Sequence, residues 1–415
     1  MLILLQKCEY PPHHTSPIIP TVARRPLLQE KTMKEVAIIG AGIGGLTAAH
    51  ALLKAGINVR VFERAPQLRA LGAGITMQAN AMEALASLGL AERVHDKGHT
   101  IDRAQITTWK GSPLQSLDFG SLGQKIAWPG VAIHRRALIH ALAEGLQDVL
   151  VFNASATHIE QRDDAVHITF EDGTQTSFTA LIGCDGLHSV VRRSLLGDEP
   201  LRYDGYTSWR GVATMPSKGL ATTEMWGAGK RFGLVPIATD KVYWFAVAEA
   251  PQNSPAKDPA LEHLLAMFEG WAAPVEELLH ATSPADIIAT DCLDRPPIPT
   301  WGRGRVTLLG DAAHPMMFNF GQGGCQAVES AVVLGRALQT TPNIEQALRL
   351  YERQRIARAN LFVKRSFDTG RIAQWKNPLA RGIRNLGMRL IPTALVQRAL
   401  VEQYGFEAWY QSVST

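Results

Sequence analysis

The fold is decided near the start of the chain by residues 34–63, KEVAIIGAGIGGLTAAHALLKAGINVRVFE. The opening run KEVAIIG is almost continuously apolar, which is typical of a parallel strand buried on both faces. A glycine-rich turn follows, then apolar residues at helical spacing, then a second strand pattern, NVRVFE. A strand, a helix and a second strand form a βαβ unit, so the sequence predicts an α/β domain.

The turn has the GxGxxG pattern, with glycines at Gly40, Gly42 and Gly45. In this pattern the first glycine allows a tight turn, the second lets the backbone approach a diphosphate, and the third lets the helix pack closely on the strand. The diphosphate then lies at the helix N-terminus, where unpaired N–H groups and the helix dipole favour an anion. Glu63 is expected to accept hydrogen bonds from a ribose. Arg64, beside it, is also expected to bind the cofactor. The pattern does not separate FAD from NAD.

Composition narrows the classes of function. The chain has 415 residues, of which 46% are apolar and 19% charged, and a formal net charge of +4. This length suits two fused domains, and the scattered Lys and Arg residues argue against a nucleic-acid partner.

The four cysteines lie far apart, which favours a reducing cytoplasm and no metal site. No apolar run reaches about eighteen residues, so no transmembrane segment is expected. Residues 1–32, which contain five prolines, are expected to form a disordered extension.

A second glycine motif lies near the other end of the chain, at Gly310-Asp311-Ala312-Ala313-His314-Pro315 and Gly321-Gln322-Gly323-Gly324. RVTLLGDAA has the pattern of a buried strand that delivers Asp311 into a loop, where its carboxylate can accept hydrogen bonds from a ribityl chain. The glycines then open a helix whose N-terminus would stabilise negative charge on a reduced flavin. A plain NAD dehydrogenase does not explain both motifs, so the sequence favours FAD as the cofactor.

The third motif is Gly183-Cys184-Asp185-Gly186-Leu187-His188-Ser189-Val190-Val191-Arg192. With this motif in place, residues from about 34 to 400 resemble the class A flavoprotein aromatic hydroxylases, a family that includes p-hydroxybenzoate, salicylate and urate hydroxylases. The resemblance implies that Asp185 and Arg192 support the geometry of FAD and of the pyridine nucleotide. A turn locked by an Asx hydrogen bond is the alternative interpretation of Asp185.

The same resemblance implies further cofactor contacts and an activity. Arg135 matches an arginine that contacts the flavin cofactor, the backbone of Ala73 and Gly74 matches a segment close to the isoalloxazine, and Gly324 matches a position over its pyrimidine end. In the implied cycle, NADH or NADPH reduces FAD and dioxygen forms a C4a-hydroperoxide. An electron-rich carbon of a small planar aromatic substrate then takes one oxygen atom, by hydroxylation or epoxidation.

The implied fold is a Rossmann-like FAD-binding domain of glutathione-reductase type with an inserted antiparallel β-sheet substrate domain and a helical C-terminus. The short β-rich segments GYTSWRGVATM, RFGLVPI and VYWFAVAEA favour such a sheet between about 200 and 300. The expected FAD-binding parts are 33–110, 130–200 and 295–345. The remaining parts are the substrate domain, 111–129 and 201–294, and the C-terminal helical region, 346–415.

Two residues of the predicted sheet are candidates for substrate chemistry. Arg210 and Tyr243 match positions where some relatives keep an Arg/Tyr pair that holds an anionic, phenolate-like substrate. A cation and a phenol would stabilise an enolate or phenolate and so make a ring carbon electron-rich. An ordinary surface or ion-pair arginine and a core tyrosine are equally consistent with the sequence. His314 is expected to be structural, because its loop holds the flavin in the family.

TEMWGAGKRFGLVPI and GRIAQWKNPLARGIRNLGMRLIP resemble segments of bacterial alkylquinolone hydroxylases, which implies a quinolone or aurachin-type quinoline of secondary metabolism as the substrate. One alternative function is a flavin-dependent reductase or halogenase on the same scaffold, although the halogenase segment WxWxIP is absent. The other is a membrane-docked, non-enzymatic flavin-binding protein, since basic and apolar residues alternate over 371–398. A helix packed on the substrate domain explains that segment more simply. A monomer and a homodimer are both compatible with the sequence.

Overall fold

The computed structural model describes residues 35–68, 73–120, 126–254 and 261–414. The extension expected over 1–32 lies outside these ranges. Within them, a six-stranded and a seven-stranded sheet carry the two main apolar cores, and two three-stranded sheets complete the β structure. The small sheets contain Gly74–Met77, Val131–His134 and His99–Thr100, and Ala156–Arg162, Ala165–Phe170 and Gln175–Phe178.

The glycine-turn segment builds the centre of the six-stranded sheet. Glu35–Ile39 pairs in parallel with Asn58–Phe62 on one side and with Ala180–Gly183 on the other. Its apolar residues are buried, as expected of a strand that is covered on both faces. The sheet is completed by Leu150–Val151, Val306–Leu308 and the antiparallel edge strand Gly302–Arg303. The α/β fold predicted from the sequence is confirmed.

The sheet predicted between residues 200 and 300 has seven strands. Their order is Ile288–Asp294, Arg202–Thr214, Lys241–Glu249, Lys230–Ala238, Thr222–Trp226, Arg103–Thr108 and Pro113–Asp118. Neighbours are antiparallel except for Thr222–Trp226 and Arg103–Thr108, which pair in parallel, so the sheet is mixed. The substrate domain was expected to begin at residue 111, but Arg103–Thr108 already belongs to this sheet, because it pairs with Thr222–Trp226 and with Pro113–Asp118.

Alternation along the strands gives the seven-stranded sheet two different faces. Trp209 and Trp244 lie on one face, within a buried apolar core. Their sequence neighbours Arg210, Tyr243 and Phe245 lie on the opposite face and line a cavity. The sheet therefore separates a packed core from a binding space.

Twelve described helices complete the fold: Ile43–Lys54, Ala79–Ala86, Ala91–His95, Arg135–Ala143, Val190–Leu196, Leu261–Met267, Val275–His280, Gly323–Thr340, Ile344–Ala373, Pro378–Leu390, Thr393–Tyr404 and Phe406–Ser414. The Gly323–Thr340 helix, here named the central helix, is buried along most of its length and packs against Ile43–Lys54 and Ile344–Ala373. The helical C-terminus expected from the sequence is confirmed. None of the described helices combines the length and apolarity needed to cross a membrane.

A buried ion network fastens the central helix to the Ile344–Ala373 helix. Glu329 is fully buried and accepts hydrogen bonds from Arg355, Arg358 and Asn80. The distance from Arg355 Nη1 to Glu329 Oε2 is 2.7 Å. Burial by itself would raise the pKa of Glu329, but the two arginines outweigh it and lower that pKa to about 2. The carboxylate thus stays ionised in the interior only because it is paired.

Replacing this charge with Glu329→Gln should reduce the free energy of unfolding by roughly 3–5 kcal/mol, because two buried arginines would lose their counter-ion. Since the pKa of Glu329 is lowered, its contribution is present above the ordinary carboxyl pKa and is lost only as the pH falls toward about 2. Guanidinium unfolding, followed by tryptophan fluorescence, measures the change.

Asp368→Asn is the control for this substitution, because it breaks the exposed Lys364–Asp368 pair. The exposed pair should contribute less than about 1 kcal/mol. Equal losses in the two variants would contradict the role assigned to the buried network.

Candidate active site

A cavity of about 680 Å³ is lined by residues of the seven-stranded sheet and by residues of the loops that follow strands of the six-stranded sheet. Its volume is in the range of small-molecule sites. Eight of the residues predicted from the sequence line it: Gly42, Ala73, Gly74, Arg135, Arg210, Tyr243, Asp311 and Gly324. The structure thus brings together positions that are up to 282 residues apart in the sequence, from 42 to 324.

The glycines of the first turn have separate steric roles. Gly40 has φ +102, and a Cβ there would lie 2.5 Å from the carbonyl oxygen of Cys184. A Cβ on Gly45 would lie 1.9 Å from the carbonyl oxygen of Gly40. Around Gly42, by contrast, no atom of the described residues beyond the adjoining backbone lies within 4 Å of the position a Cβ would take. Gly40 and Gly45 therefore shape the turn, whereas Gly42 borders the open cavity.

Glu63, which directly follows the strand Asn58–Phe62, stabilises the glycine turn by hydrogen bonds. Its Oε2 accepts a hydrogen bond from the N–H of Ala41 at 3.0 Å, and its Oε1 accepts one from the N–H of Ala65 at 2.9 Å. Each carboxylate oxygen retains a second lone pair, so the ribose contact stays a prediction. Arg64 is exposed, and neither it nor Glu63 belongs to the cavity lining.

Two helix N-termini open into the cavity. The Ile43–Lys54 helix begins after Gly42 and the central helix begins after Gln322, and neither end carries a side-chain cap in the described part of the chain. The first N–H groups of a helix have no partner within it and mark the positive end of its dipole. The N-terminus of the Ile43–Lys54 helix suits a diphosphate, and the N-terminus of the central helix suits negative charge on a ring system.

Asp311 lies in the loop between Val306–Leu308 and the central helix, and its exposed surface belongs to the cavity lining. Desolvation raises the pKa of its carboxyl group, and Arg135 acts in the opposite direction. Within the described residues no protein group donates a hydrogen bond to this carboxylate. Because the Asp311 carboxylate borders the cavity and accepts no hydrogen bond from the described residues, it suits a ligand that brings hydroxyl groups.

Asp185 is directed at a helix end and is outside the cavity lining. Its carboxylate accepts hydrogen bonds from Ser189 Oγ at 2.5 Å and from the N–H of Val190 at 2.7 Å. Burial raises the pKa of Asp185, and the bond from Ser189 lowers it. The side chain thus locks the turn that precedes the Val190–Leu196 helix, which is the geometry of the Asx alternative.

Arg192 joins the third motif to the second. Its guanidinium is buried and donates hydrogen bonds to the carbonyl oxygens of Ala312 and Ala313 at 3.1 and 3.3 Å. These two residues follow Asp311 directly. The third motif therefore holds the loop that places Asp311, so Arg192 acts on the cavity through that loop.

Gly74 and Tyr243 meet at the cavity wall. A Cβ on Gly74 would lie 2.4 Å from Tyr243 Cγ, so the tyrosine ring packs directly against the Ala73–Gly74 backbone. Burial raises the pKa of Tyr243, while Arg210 and Arg135 lower it. Within the described residues its hydroxyl has no hydrogen-bond partner. Tyr243 therefore offers a neutral O–H to a ligand.

Two arginines line the cavity close to a single ring. The guanidinium carbons of Arg210 and Arg231 each lie 5.8 Å from the centre of the Phe318 ring. Arg210 donates a hydrogen bond to Thr290, and Arg231 pairs with Glu224 at 2.9 Å. The Nε atoms of both arginines lack hydrogen-bond partners in the described residues. This part of the cavity is suited to an oxygen that carries negative charge.

Arg231 is a site residue that the sequence motifs do not indicate. It lies in the strand Lys230–Ala238 and is only 1% exposed. An arginine within the apolar run RFGLVPI is a readable signal, because a buried arginine needs a partner. Its second partner, Asn319, accepts a hydrogen bond at 2.5 Å and comes from a distant loop.

His314 is also buried, but it is not part of the cavity lining. Burial lowers the pKa of His314 to about 3.

Comparisons with known proteins agree with this geometry. A family model described as "FAD binding domain" matches residues 33–366. The chain is 43% identical over 365 residues to the aurachin C monooxygenase/isomerase of Stigmatella aurantiaca, which covers 87% of this chain and 95% of that protein. It is 35% identical over 372 residues to the 2-heptyl-3-hydroxy-4(1H)-quinolone synthase of Pseudomonas aeruginosa, with coverages of 88% and 96%. The crystal structure of Klebsiella pneumoniae HpxO with FAD and uric acid matches with a TM-score of 0.85 at 29% identity, covering 92% of this chain and 99% of that one.

A comparison of Gly42→Ala with Gly45→Ala should distinguish a loss of FAD affinity from a loss of fold stability. The methyl group at position 42 meets no other part of the described chain, so the free energy of unfolding should change by less than about 0.5 kcal/mol. FAD affinity should fall roughly tenfold or more, because the methyl group occupies the space expected for the diphosphate. The methyl group at position 45 would collide with the Gly40 carbonyl and should lower both. Flavin absorbance after gel filtration and the melting temperature of the apoprotein measure the two effects. Full FAD retention by Gly42→Ala would contradict this assignment.

Asp311→Asn should weaken FAD binding by roughly one to two orders of magnitude, because a hydrogen bond to a charged group contributes about 1.5–3 kcal/mol. Titration of the apoprotein with FAD, followed by flavin fluorescence, gives the dissociation constant. The exposed Asp148→Asn is the control with the same charge change. If both variants bound FAD like the parent, Asp311 would not hold the cofactor.

The donor-free Asp311, the open space at Gly42 and the two uncapped helix ends together fit FAD. The family model matches most of the chain, and the chain matches the two relatives over nearly their full length. From geometry and comparison together, the chain belongs to the class A FAD-dependent aromatic monooxygenases, which use NAD(P)H as co-substrate.

Proposed function

We propose that this monooxygenase adds one oxygen atom from dioxygen to a quinolone or quinoline that carries an apolar substituent. The observation that carries the proposal is the makeup of the cavity. Tyr243, Arg210 and Arg231 form a polar group, and apolar side chains make up much of the remaining wall: Ile101, Ile106, Leu117, Phe119, Val235 and Phe245. Such a cavity suits a flat ring with one anionic or carbonyl oxygen and an apolar extension.

The relatives support this substrate class over a more polar ring. The Pseudomonas relative is named for a hydroxylated quinolone with a heptyl chain. HpxO binds uric acid, a small ring surrounded by polar groups. Polar groups of urate that faced the apolar wall of the present cavity would lack partners, which is unfavourable. An alkylated quinolone instead places its chain against that wall.

Bound FAD, once reduced by NAD(P)H, supplies the activation of dioxygen. The protein's part is to hold and polarise the substrate. Tyr243 donates a hydrogen bond to the ring oxygen, and Arg210 stabilises negative charge there, which increases the electron density of the neighbouring ring carbon. Glu224 partly balances the charge of Arg231, so Arg210 is the stronger source of positive potential. The ring of Tyr243 packs on Gly74, which supports a position for this donor close to the backbone expected to border the flavin.

The proposal is tested with FAD-saturated enzyme and a panel of 2-alkyl-4-quinolones, quinolines, salicylate and urate. An alkylquinolone should accelerate NADH or NADPH oxidation the most and should gain one oxygen atom by mass spectrometry. Preference for salicylate or urate would overturn the substrate class. Reduction of an alkene with no oxygen incorporation would favour a reductase on the same scaffold.

Tyr243→Phe keeps the ring that packs on Gly74 but removes the hydroxyl. Loss of one preorganised donor should lower kcat roughly a hundredfold, with FAD content unchanged. Because burial raises the pKa of Tyr243 above its ordinary value of 10.0, the donor should persist as the pH rises from neutral toward 10. Steady-state kinetics with the best quinolone measures both effects.

Tyr203→Phe is the matched control, since its hydroxyl donates to the carbonyl oxygen of Ala250 outside the cavity lining. It should leave kcat within about threefold of the parent, as for a substitution away from the site. Similar losses of kcat in both variants would show that the Tyr243 hydroxyl has no special role.

A further inference from the structure

The exposed apolar surface of this protein is concentrated in one segment. Eight of the eleven large apolar side chains that are exposed in the described residues lie between positions 372 and 395: Ile372, Trp375, Leu379, Ile383, Leu386, Leu390, Ile391 and Leu395. Single exposed apolar residues are common, but a cluster of this kind marks an interaction surface.

Four of these side chains share one face of the Pro378–Leu390 helix. Leu379, Ile383, Leu386 and Leu390 follow helical spacing and are 72%, 64%, 57% and 69% exposed. They are named here the apolar face. The burial pattern of the helix is thus inverted, because its buried residue is Arg384.

The same segment is strongly basic. Residues 371–398 contain six Lys or Arg residues and no Asp or Glu, whereas the whole chain has a net charge of only +4. The rest of the chain is therefore net negative, and positive charge gathers beside the apolar face. Within the described residues no carboxylate forms an ion pair with Arg371, Arg381 or Arg389.

Contacts on the inner side of the Pro378–Leu390 helix fix its position, so the apolar face is held in a defined, outward orientation. Arg384 donates hydrogen bonds to the carbonyl oxygens of Ile372 and Ala373 at 3.1 and 3.0 Å, and its guanidinium carbon lies 5.0 Å from the centre of the Trp226 ring. Asn377 caps the N-terminus by accepting from the N–H groups of Leu379 and Ala380. An outward apolar face on an anchored helix needs an external partner.

The charge distribution selects the partner. A second copy of this chain would bring two equally basic surfaces together in a symmetric contact, and like charges oppose that association. An anionic lipid surface satisfies both features, since it accepts apolar side chains and attracts Lys and Arg. We propose that the apolar face docks this enzyme on an anionic membrane surface, with the Pro378–Leu390 helix lying in the plane of the interface.

The docked face lies close to the cavity wall. Arg389 Nε donates a hydrogen bond to the carbonyl oxygen of Pro113 at 3.2 Å, in the edge strand Pro113–Asp118. Leu117 of this strand and Phe119 just after it line the cavity. Membrane docking therefore places that wall next to the bilayer, where a lipophilic aromatic compound partitions. The docking itself does not depend on the substrate proposed above.

Flotation with large unilamellar vesicles tests the proposal on the FAD-loaded enzyme. The protein should float with vesicles of phosphatidylcholine and phosphatidylglycerol, bind vesicles of pure phosphatidylcholine much less, and be released by high salt. Leu379→Ser/Leu390→Ser should lower the bound fraction roughly tenfold or more. Leu53→Ser/Leu361→Ser, which removes two exposed apolar residues elsewhere, is the control and should bind like the parent.

Three results would overturn the docking surface. One is absence of parent protein from anionic vesicles, and another is equal binding by the two double variants. The third is a dimer in light scattering that Leu379→Ser/Leu390→Ser converts to a monomer, which would assign the face to a second copy. FAD content and quinolone-stimulated NAD(P)H oxidation are recorded for the same variants and should not change. Failure of the substrate proposal would thus appear separately.

Discussion

The structure depends on parallel pairing of three strands that are far apart in the sequence. Ala180–Gly183 lies between Glu35–Ile39 and Val306–Leu308, with Gly183 opposite both Ile39 and Leu308. In a parallel sheet the carboxyl ends of the strands share one edge, and ligands bind beyond that edge. The three glycine motifs each follow one of these strands, so hydrogen bonding within the sheet gathers them. Sterics then fit them together, because a Cβ on Gly40 would collide with the backbone of Cys184.

Much of this fold can be read from the sequence because its signals are local. A buried strand, a glycine turn and a helix lie within about thirty consecutive residues, and their periodicities differ clearly. The strands of the seven-stranded sheet are also readable one by one. Their partners are not, because pairing is a contact between distant segments. The parallel ladder between Arg103–Thr108 and Thr222–Trp226 shows this, since no turn connects the two strands and fixes their register.

The residues of the site likewise divide into those that the sequence indicates and those whose placement depends on distant segments. Gly42 and Asp311 are recognisable as cavity residues from their glycine motifs, whereas Gly74 is indicated only by the resemblance to the family. Arg231 escapes this reasoning, because its placement depends on Glu224 across a hairpin and on Asn319 from a loop 88 residues away. A motif also does not show where a side chain points: the Asp185 carboxylate accepts a hydrogen bond from the helix that follows it, while the neighbouring residues Cys184 and Gly186 line the cavity.

The central helix links the cavity to the remainder of the fold in a further way. Its N-terminal glycines line the cavity, and Glu329, six residues later, joins it to the Ile344–Ala373 helix. At 1.5 Å per residue the two points are only about 9 Å apart. The axis of the helix, and with it the direction of its dipole, is therefore set by a buried ionic clamp. The helix end that opens into the cavity is thus held in part by the Ile344–Ala373 helix, which contributes no residue to the cavity lining in the described part of the chain, so substitutions in that helix can alter the site at a distance.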